Sequence, residues 1–277
     1  MPAPDDHPFL SRTPPRAPEG LIARARALGA PPRVALVNAG APLPLAGLRE
    51  ACEAGLAEPV LVGDPAKIRA AAERIGWDIA PFRLVAAPGE TAAPEAAKLA
   101  AKGEADALMK GQVHTSAFLK GILPASMGLR AKGAVCAHVF HVTLPRSERP
   151  LLLTDAALNV RPDLHVRQQS LCHAVCLARL VGVARPRVGI LAPSEDVTLA
   201  IPCTGEVDVI LVPELNAGNA LFKLMVLGMG ACAAGVVMGA RVPILLTSRG
   251  QGAEDRLASA ALGAILGAEA RSARAAA

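Results

Sequence analysis

The sequence predicts an α/β protein whose mixed, mostly parallel sheet is divided between two lobes. The chain has 277 residues, of which 52% are apolar, so it can bury a substantial core. Short strand-like apolar runs alternate with helix-like segments along most of its length, which is typical of a parallel sheet. In the middle, two apolar runs are joined by PRSERP, a turn too short for a helix. An antiparallel excursion, and the border of a second lobe, are therefore expected there.

The first 18 residues are expected to form a flexible arm. They are rich in proline and charge and show neither a helical nor a strand period. Residues 19–277 are then expected to form the folded domain, with two lobes that share one cleft.

The folded domain is predicted to repeat the β-α unit. In its first half, strands are expected at 33–38, 59–63, 82–87 and 106–111, and helices at 44–58, 65–76, 91–103 and around 116–120. The antiparallel pair is expected at 135–144 and 151–155. In the second half, strands are expected at 187–193, 207–213, 233–240 and 242–248, and helices at 163–182, 216–228 and 253–267. Since open α/β sheets bind ligands at the carboxyl ends of their strands, the chemistry is expected there.

Charge and composition argue against several classes of protein. The net charge of +5 is spread along the chain and aromatic residues make up 2%, so neither the basic patch nor the stacking residues of a nucleic-acid-binding protein are found. No apolar run reaches the roughly 18 residues that cross a membrane, and the first residues lack the pattern of a leader, so a cytoplasmic protein is expected.

The six cysteines lie within apolar segments and are expected to be buried thiols in a reducing compartment. Cys172 and Cys176 are four residues apart in a predicted helix, next to His173. Because they share one helical face and extend its apolar stripe, core positions are favoured over zinc or haem ligation.

The strongest local motif lies near the end of the sequence, where a buried strand is followed by Ser248, Arg249, a glycine-rich turn and a helix. The serine hydroxyl can donate a hydrogen bond, and the planar guanidinium of Arg249 fits a phosphate group. Gly250 and Gly252 let the backbone approach a ligand, and Asp255 follows at the helix start. Taken alone, the motif also fits an ordinary helix start in which Asp255 is the cap.

A second motif joins a strand to a helix through Lys110, Gly111, His114, Thr115 and Ser116. Lys110 comes at the end of the strand, where its charge could neutralise a phosphate group. The alternative is a basic turn on the surface.

Two further clusters repeat the pattern of a strand followed by a polar turn. Asn216, Gly218 and Asn219 lie where the N–H groups of a helix start can hold an anion, although such residues also shape many ordinary turns. Asp155 and Asn159 follow a short apolar strand. Asp155 is a candidate base or metal ligand, but a single carboxylate does not indicate a metal site.

These four motifs, in this order and in these strand-to-helix contexts, resemble the phosphate acetyl/butyryltransferase family. The family's Lys-Gly or Ser-Gly turn with its His-Thr or Asp-Thr stretch is matched at 110–116, and its Asp-Ala-Ala-x-Asn element at 155–159. Its Pro-Asp/Glu-x-x-Ala/Ser-Gly-Asn element is matched at 213–219, and its Ser-Arg-Gly element at 248–250. The resemblance covers residues 33–266.

The resemblance implies a fold similar to isocitrate and isopropylmalate dehydrogenases, and transfer of a short acyl group between coenzyme A and orthophosphate. It makes Ser248 the catalytic serine, Arg249 the phosphate ligand and Asp255 the base, with the other three motifs in the substrate site. Since a free thiol is mostly protonated at neutral pH, such a base is needed to form the attacking thiolate. Coenzyme A is then a substrate, no metal or other cofactor is required, and a homodimer is expected.

The sequence departs from the family after Thr204, where a helix, a strand and a polar loop that help to line the cleft are missing. A non-catalytic relative with a reduced cleft is therefore the main alternative. A metal-dependent dehydrogenase on the related fold is less favoured, since no pair of aspartates follows a strand and no Gly-x-Gly-x-x-Gly fingerprint is found. The stretch 194–204 resembles the butyryltransferase branch and the acyltransferase half of enzymes fused to an enoyl-CoA hydratase.

Overall fold

The structure is a computed structural model, which describes residues 13–145, 147–191, 206–246 and 252–276. It also describes two short strands near the start of the chain, β1 (Asp6–His7) and β2 (Leu10–Ser11), which pair with each other. The end of the predicted arm is packed in the structure, since Ala17 and Pro18 are buried.

The other ten described strands form one sheet. In chain order they are β3 (Arg33–Val37), β4 (Glu58–Gly63), β5 (Arg83–Ala86), β6 (Ala107–Lys110), β7 (Ala137–Thr143), β8 (Leu151–Thr154), β9 (Val188–Ile190), β10 (Val209–Leu211), β11 (Cys232–Met238) and β12 (Ile244–Leu245). Across the sheet their order is β5-β4-β3-β6-β12-β11-β7-β8-β10-β9. Each strand predicted from the sequence is represented, and most are shorter than predicted.

Helices cover both faces of the sheet. They are α1 (Glu19–Arg26), α2 (Pro42–Glu53), α3 (Pro65–Arg74), α4 (Ala92–Ala101), α5 (Thr115–Ile122), α6 (Leu164–Leu180), α7 (Leu215–Lys223) and α8 (Ala253–Ala275). Side chains alternate along β3: Val34 and Leu36 join the core formed with α1, α2, α3, α6 and α8, whereas Ala35 and Val37 join the core formed with α4 and α5. A third core lies beside α7. The predicted α/β class is thus confirmed.

Strand direction divides the sheet into two parallel sets. β5, β4, β3, β6 and β12 are parallel, and so are β8, β10 and β9. Between the sets, β12 pairs with β11, β11 with β7 and β7 with β8, all antiparallel. The antiparallel excursion predicted in the middle of the chain is confirmed. Because three reversals separate the two sets, their carboxyl ends lie at opposite edges of the sheet.

Several helices differ from the predicted ranges. The last was expected to end at Gly267, but α8 continues to Ala275 because its glycines serve close packing. A Cβ on Gly263 would lie 2.8 Å from a methyl group of Leu245, and one on Gly267 would lie 2.9 Å from the Cβ of Pro32. The range predicted as one helix at 216–228 is α7 followed by a π-helical turn.

Two helices at the start of the fold also depart from the sequence prediction. α2 begins and ends earlier than the predicted 44–58, with Gly55 in a left-handed conformation (φ +73°) just beyond its end. α1 was not expected at all, because Pro18 and Gly20 flank its start and it buries only Leu21 and Ala25.

The prediction that Cys172 and Cys176 are core residues is wrong, because both are exposed. The buried face of α6 instead carries Ala174, Leu177 and Ala178. Each of the two cysteines is two residues from Ala174, which places it about 200° around the helix and therefore on the outer side. The prediction of buried thiols holds for Cys136 and Cys232, whereas Cys52 is only partly buried and Cys203 lies outside the described residues.

Candidate active site

The predicted catalytic residues follow β12, at the sheet edge where β6 also ends. Ser248 and Arg249 lie outside the described residues, but both flanks are described: β12 ends at Leu245 and α8 begins at Ala253. Since β12 pairs with β6 in the parallel sense, the connection to α8 starts at the same edge as the polar segment that begins with Lys110.

Asp255 is buried in the first turn of α8, with 4% of its surface exposed. Its Oδ2 accepts a hydrogen bond from the N–H of Gly252 at 3.0 Å, so the carboxylate caps the helix. Its Oδ1 accepts a second bond from the N–H of Ala233 at 2.8 Å, which ties the start of α8 to the start of β11. The cap that the sequence offered as the alternative interpretation is therefore present.

A buried thiol group lies near this carboxylate. It belongs to Cys232, the first residue of β11 and the chain neighbour of Ala233, whose N–H bonds to Asp255. Burial and the negative charge of Asp255 both raise the pKa of the Cys232 thiol far above its usual range. The negative charge of Asp255 thus favours the protonated form of a neighbouring buried thiol.

The segment after β6 is shaped by a close contact with β3. The N–H of Gly111 donates to the carbonyl of Val37 at 2.9 Å, and a Cβ on Gly111 would lie 2.3 Å from that oxygen. No side chain fits there, so glycine is required for the turn. The Nζ of Lys110 donates to the carbonyl of Val113 at 3.2 Å, which holds the ammonium group over this turn.

His114 precedes α5 and lines a pocket of about 410 Å³ over the carboxyl ends of β3 to β6, while Thr115 and Ser116 are exposed in the first turn of α5. After β3 the chain continues toward one side of the sheet, and after β6 it continues toward the other. Open α/β sheets bind ligands at the point between two such neighbouring strands. Sequence reasoning missed Asn38 and Lys67 in this pocket. Asn38 directly follows a predicted strand, a signal that could have found it.

A second group of predicted residues lies at the opposite edge, after β8. Asp155 is buried and accepts hydrogen bonds from the N–H groups of Ala157 at 3.1 Å, Leu158 at 3.0 Å and Asn159 at 3.2 Å. The Asn159 amide also donates to Asp155 at 2.6 Å and to the carbonyl of Cys136 at 2.9 Å. These bonds hold the turn after β8 against the start of β7.

Asn216, Gly218 and Asn219 lie in α7, close to that turn. Glu214 caps the helix and accepts bonds from two N–H groups of its first turn at 2.8 and 2.7 Å, so the chain's own carboxylate takes the anion position. A Cβ on Gly218 would lie 2.7 Å from the Cβ of Ala156, so this glycine lets α7 pack on the turn after β8. Sequence reasoning missed this role of Glu214.

The structure therefore places the predicted residues that it describes at two edges of the sheet rather than at one. Residues 110–116 and Asp255 lie at one edge, and residues 155–159 and 216–219 lie at the other. The strands that lead to the two groups are antiparallel to each other, which places the groups at opposite edges of the sheet.

Two further properties concern membranes and metals. Among the described helices, none is both long and apolar enough to cross a membrane. In the same part of the chain, no three His, Cys, Asp or Glu side chains are grouped as metal ligands would be. The buried carboxylates of Asp155 and Asp255 accept hydrogen bonds from N–H groups instead.

The chain is similar to known acyltransferases along most of its length. A phosphate acetyltransferase of Rhizobium meliloti is 34% identical, over 93% of this chain and 95% of the relative. A phosphate butyryltransferase of Clostridium acetobutylicum is 28% identical, over 80% of this chain and 89% of the relative. The family model described as phosphate acetyl/butaryl transferase matches residues 85–200.

Solved structures share the fold. A branched-chain phosphotransacylase from Enterococcus faecalis superposes with a TM-score of 0.70 at 22% identity, covering 84% of this chain and 99% of that one. A phosphotransacetylase from Staphylococcus aureus superposes with a TM-score of 0.71 at 19% identity, covering 92% of this chain and 99% of that one. At these identities the likeness concerns the fold alone.

The alignments with the relatives include positions without a counterpart in this chain. The alignment with the Rhizobium relative is 303 residues long, whereas 93% of this 277-residue chain is about 258 residues. The alignment with the butyryltransferase is 268 residues long, against about 222 residues for 80% of the chain. Each difference is about 45 residues, enough for the helix, strand and loop expected to be missing. The predicted position of the gap, after Thr204, lies outside the described residues.

Proposed function

The chain belongs to the phosphate acetyl/butyryltransferase family and transfers an acyl group between coenzyme A and phosphate; from this premise we propose which acyl groups it takes and which residues act. The observation that carries the function is the 34% identity to a phosphate acetyltransferase over 93% of the chain. We propose short acyl groups, from acetyl to butyryl, because relatives of both kinds match.

We assign removal of the thiol proton to Asp255. Acyl transfer to coenzyme A needs a thiolate, and a free thiol with a pKa near ~8.5 is mostly protonated at neutral pH. The position of Asp255 supports this role, because it lies in the first turn of α8, directly after the connection that contains Ser248 and Arg249. A positioned general base of this kind contributes roughly 10²–10⁴-fold to a rate.

In the proposed reaction, the thiolate sulfur of coenzyme A attacks the carbonyl carbon of the acyl phosphate, and negative charge develops on the carbonyl oxygen. The bond from that carbon to the phosphate oxygen then breaks, the oxygen keeps the electron pair, and orthophosphate leaves. We assign the hydrogen bond to the carbonyl oxygen to Ser248 and the grip on the phosphate to Arg249, whose planar fork can bind two oxygens at once. This route uses coenzyme A as a substrate and calls for no metal or other cofactor.

We assign phosphate binding at the same edge to Lys110, Gly111, His114, Thr115 and Ser116. Their placement supports this, because β6 and β12 are parallel neighbours and both polar connections start from one edge. The bond between the Lys110 ammonium group and a backbone carbonyl holds that charge over the turn.

The residues at the other edge are also proposed as substrate-binding from the resemblance. The hydrogen bonds of Asp155 and Asn159, and the packing of Gly218, additionally support a role in shaping the turn after β8. Exposed Asn216 and half-buried Asn219 have side chains that solvent reaches, so they are the members of this group that a substrate could contact.

We further propose a cytoplasmic homodimer with two lobes, similar in fold to isocitrate and isopropylmalate dehydrogenases. The two oppositely directed sets of parallel strands support the division into lobes. The missing segment would reduce the cleft between the lobes without removing either set.

A coupled assay of thioester formation from acetyl, propionyl and butyryl phosphate with coenzyme A tests the function. Purified protein should form acyl-CoA and release orthophosphate with at least one of them. If none gives product above a control without enzyme, the chain is the non-catalytic relative that the missing segment would produce.

A further inference from the structure

Three consecutive residues tie the first turn of α8 to three different parts of the fold. The Glu254 carboxylate accepts a hydrogen bond from the N–H of Ala17 in the N-terminal arm at 2.7 Å. Asp255 accepts one from an N–H group at the start of β11 at 2.8 Å. The side chain of Arg256 binds Glu50 of α2. Neither Arg256 nor Glu50 belongs to the motifs that assigned the function, so the resemblance gives this third tie no role.

The contact between Arg256 and Glu50 engages both carboxylate oxygens and is partly shielded from water. Nη2 of Arg256 donates to Oε1 at 3.2 Å and to Oε2 at 3.1 Å, and Nε donates to Oε2 at 3.4 Å. The arginine side chain is 13% exposed and the glutamate side chain 32%. A guanidinium that binds both oxygens of a carboxylate fixes their relative orientation, so this pair holds α8 against α2 in one geometry.

Helix α2 also provides a slot for the aliphatic stem of Arg256. Gly47 lies one helical turn before Glu50, on the same face of α2. A Cβ on Gly47 would lie 2.8 Å from Cδ of Arg256, so the stem occupies the space that a side chain would need. Glycine is disfavoured in the interior of a helix, so the slot reduces the stability of α2 itself. Packing and charge therefore hold the arginine together.

Helix α2 leads away from the pocket over the carboxyl ends of β3 to β6. It begins at Pro42, shortly after Asn38 and Gly40, which both line that pocket. Arg256 directly follows Asp255, at the end of the connection from β12 to α8. The bond between α2 and α8 therefore joins the start of α8 to the helix that begins beside the pocket, and these are the two parts of the proposed site at this edge of the sheet.

We propose that Arg256 is a positioning residue, which by binding Glu50 sets the distance between Asp255 and the pocket over β3 to β6; this inference rests on the proposed function. A reaction between bound groups depends on their geometry, and a displacement of about 1 Å can lower a rate by roughly 10². The far end of α8 is held separately, through the bond from Arg274 to Asp106. Loss of the Arg256 tie should therefore free the first turn of α8 and leave the rest of the helix in place.

The first test compares Arg256→Gln with Arg271→Gln. In Arg256→Gln, kcat and kcat/KM should both fall by about 10- to 100-fold, because a displaced base affects the transition state more than substrate binding. Arg271→Gln is the matched control: it removes the same charge from the same helix, about 22 Å further along, where Arg271 donates to the carbonyls of Pro31 and Ala30. Both variants should lower the melting temperature, and only Arg256→Gln should lower kcat. An unchanged kcat in Arg256→Gln, or equal falls in both variants, would overturn the proposal.

The second test removes the other partner of the pair. Glu50→Ala leaves the arginine stem in its slot, so it remains informative even if Arg256→Gln does not fold. It should reproduce the fall in kcat, and the double variant should lose no more than either single variant, since both break one contact. Arg256→Lys keeps the stem and the charge but not the fork, so its kcat should lie between those of Arg256→Gln and the unaltered chain. A normal kcat in Glu50→Ala, or additive losses in the double variant, would contradict the proposal.

Hydrogen exchange followed by mass spectrometry separates this inference from the proposed function. In Arg256→Gln, backbone amides of residues 252–258 should exchange faster than in the unaltered chain, and those of residues 268–275 should exchange at the same rate. If the protein makes no acyl-CoA, the function fails, and the exchange rates then decide the role of Arg256 alone. Faster exchange confined to the start of α8 supports the positioning role, whereas equal exchange there, or faster exchange along the whole helix, overturns it.

Discussion

At the scale of single residues, Asp255 has two separable tasks, because it caps α8 and is the candidate base. Asp255→Asn keeps the size of the side chain but removes the base. Because asparagine has one side-chain oxygen where the carboxylate has two, its NH2 group must face one of the two backbone N–H donors. We expect kcat to fall by roughly 10²–10⁴-fold and the free energy of unfolding by about 1–3 kcal/mol. Turnover assays and urea denaturation measure the two effects. Lower stability with unchanged kcat would leave Asp255 as a cap only, and Glu269→Gln, at an exposed position of α8, is the control.

Arg249 is proposed to grip phosphate through a planar fork that lysine cannot reproduce. Arg249→Lys keeps the charge, but we expect kcat/KM for phosphate in the direction of acyl phosphate synthesis to fall by at least about tenfold. Arg69→Lys, at an exposed position of α3, controls for the exchange itself. Wild-type kinetics in Arg249→Lys would remove Arg249 from the site.

Two buried histidines on β7 link stability to pH. Burial lowers the pKa of His138 to about 4 against the opposing charge of Asp155, and burial also lowers the pKa of His141 to about 4. In the unfolded chain the pKa is about 6.5, so below that pH the unfolded state binds more protons than the folded one. The two neutral histidines therefore make their full contribution to the free energy of unfolding above about pH 6.5, and this contribution is lost as the pH falls toward 4.

We expect the free energy of unfolding to drop by about 1 kcal/mol per histidine between pH 7.5 and 5.5. Urea denaturation at the two pH values measures the drop in the unaltered chain and in His141→Gln. The variant should lose less stability on acidification, because one of the two groups is gone. Identical losses would show that His141 is not held neutral by the fold.

At the scale of elements, the end of α8 is fixed by a buried carboxylate at the start of β6. Asp106 is fully buried, and it accepts two bonds at 3.0 Å from the Arg33 side chain and one at 2.5 Å from Arg274 of α8. Burial alone would raise the pKa of Asp106, but the bonds from Arg33 and Arg274 lower it below its ordinary value. The carboxylate thus joins β3, β6 and α8 far from the candidate base.

Removing this charge should test stability without touching the chemistry. Asp106→Asn leaves the arginines without their counter-ion, and we expect a loss of about 3–5 kcal/mol in the free energy of unfolding. Guanidinium denaturation measures it, and the kcat of the folded fraction should stay unchanged. A large loss of kcat in fully folded protein would mean that the site depends on the far end of α8.

At the scale of the whole molecule, the missing segment is expected to weaken the cleft more than the fold. β9, the described strand before the predicted gap, is the outermost strand of the sheet. Loss of a unit beside an edge strand removes less buried apolar area than loss of a unit from the centre of the sheet. At the centre, the lost burial energy, at ~25 cal/mol per Å², would exceed a net stability of ~5–15 kcal/mol.

Grafting the family's missing segment after Thr204 should therefore lower the Michaelis constants for coenzyme A and acyl phosphate more than it raises the melting temperature. Steady-state kinetics and thermal denaturation of the graft measure the two changes. A graft of equal length made of glycine and serine is the matched control. A large gain in melting temperature with unchanged kinetics would show that the gap lies in the core.

The sequence by itself determined the α/β class, the ten strands, the antiparallel excursion and the family. Each of these follows from local patterns, since alternation, turn residues and four short motifs are read within a few neighbouring positions. Local patterns were less reliable for the ends of helices. Gly267 was read as the end of the last helix, but it lies within α8, where the absence of a side chain allows close packing against Pro32. Local periodicity also failed for the buried face of α6, where Cys172 and Cys176 point outward.

Only the tertiary structure decided how the motifs are grouped. Strand order and direction place Lys110 and Asp155 at opposite edges, which no pattern within either motif contains. The contacts of Asp255 with Ala233, and of Glu254 with Ala17, join residues far apart in the chain. Such contacts depend on how whole elements pack, so the ties that hold the start of α8 against β11 and the arm could be recognised only once the chain was folded.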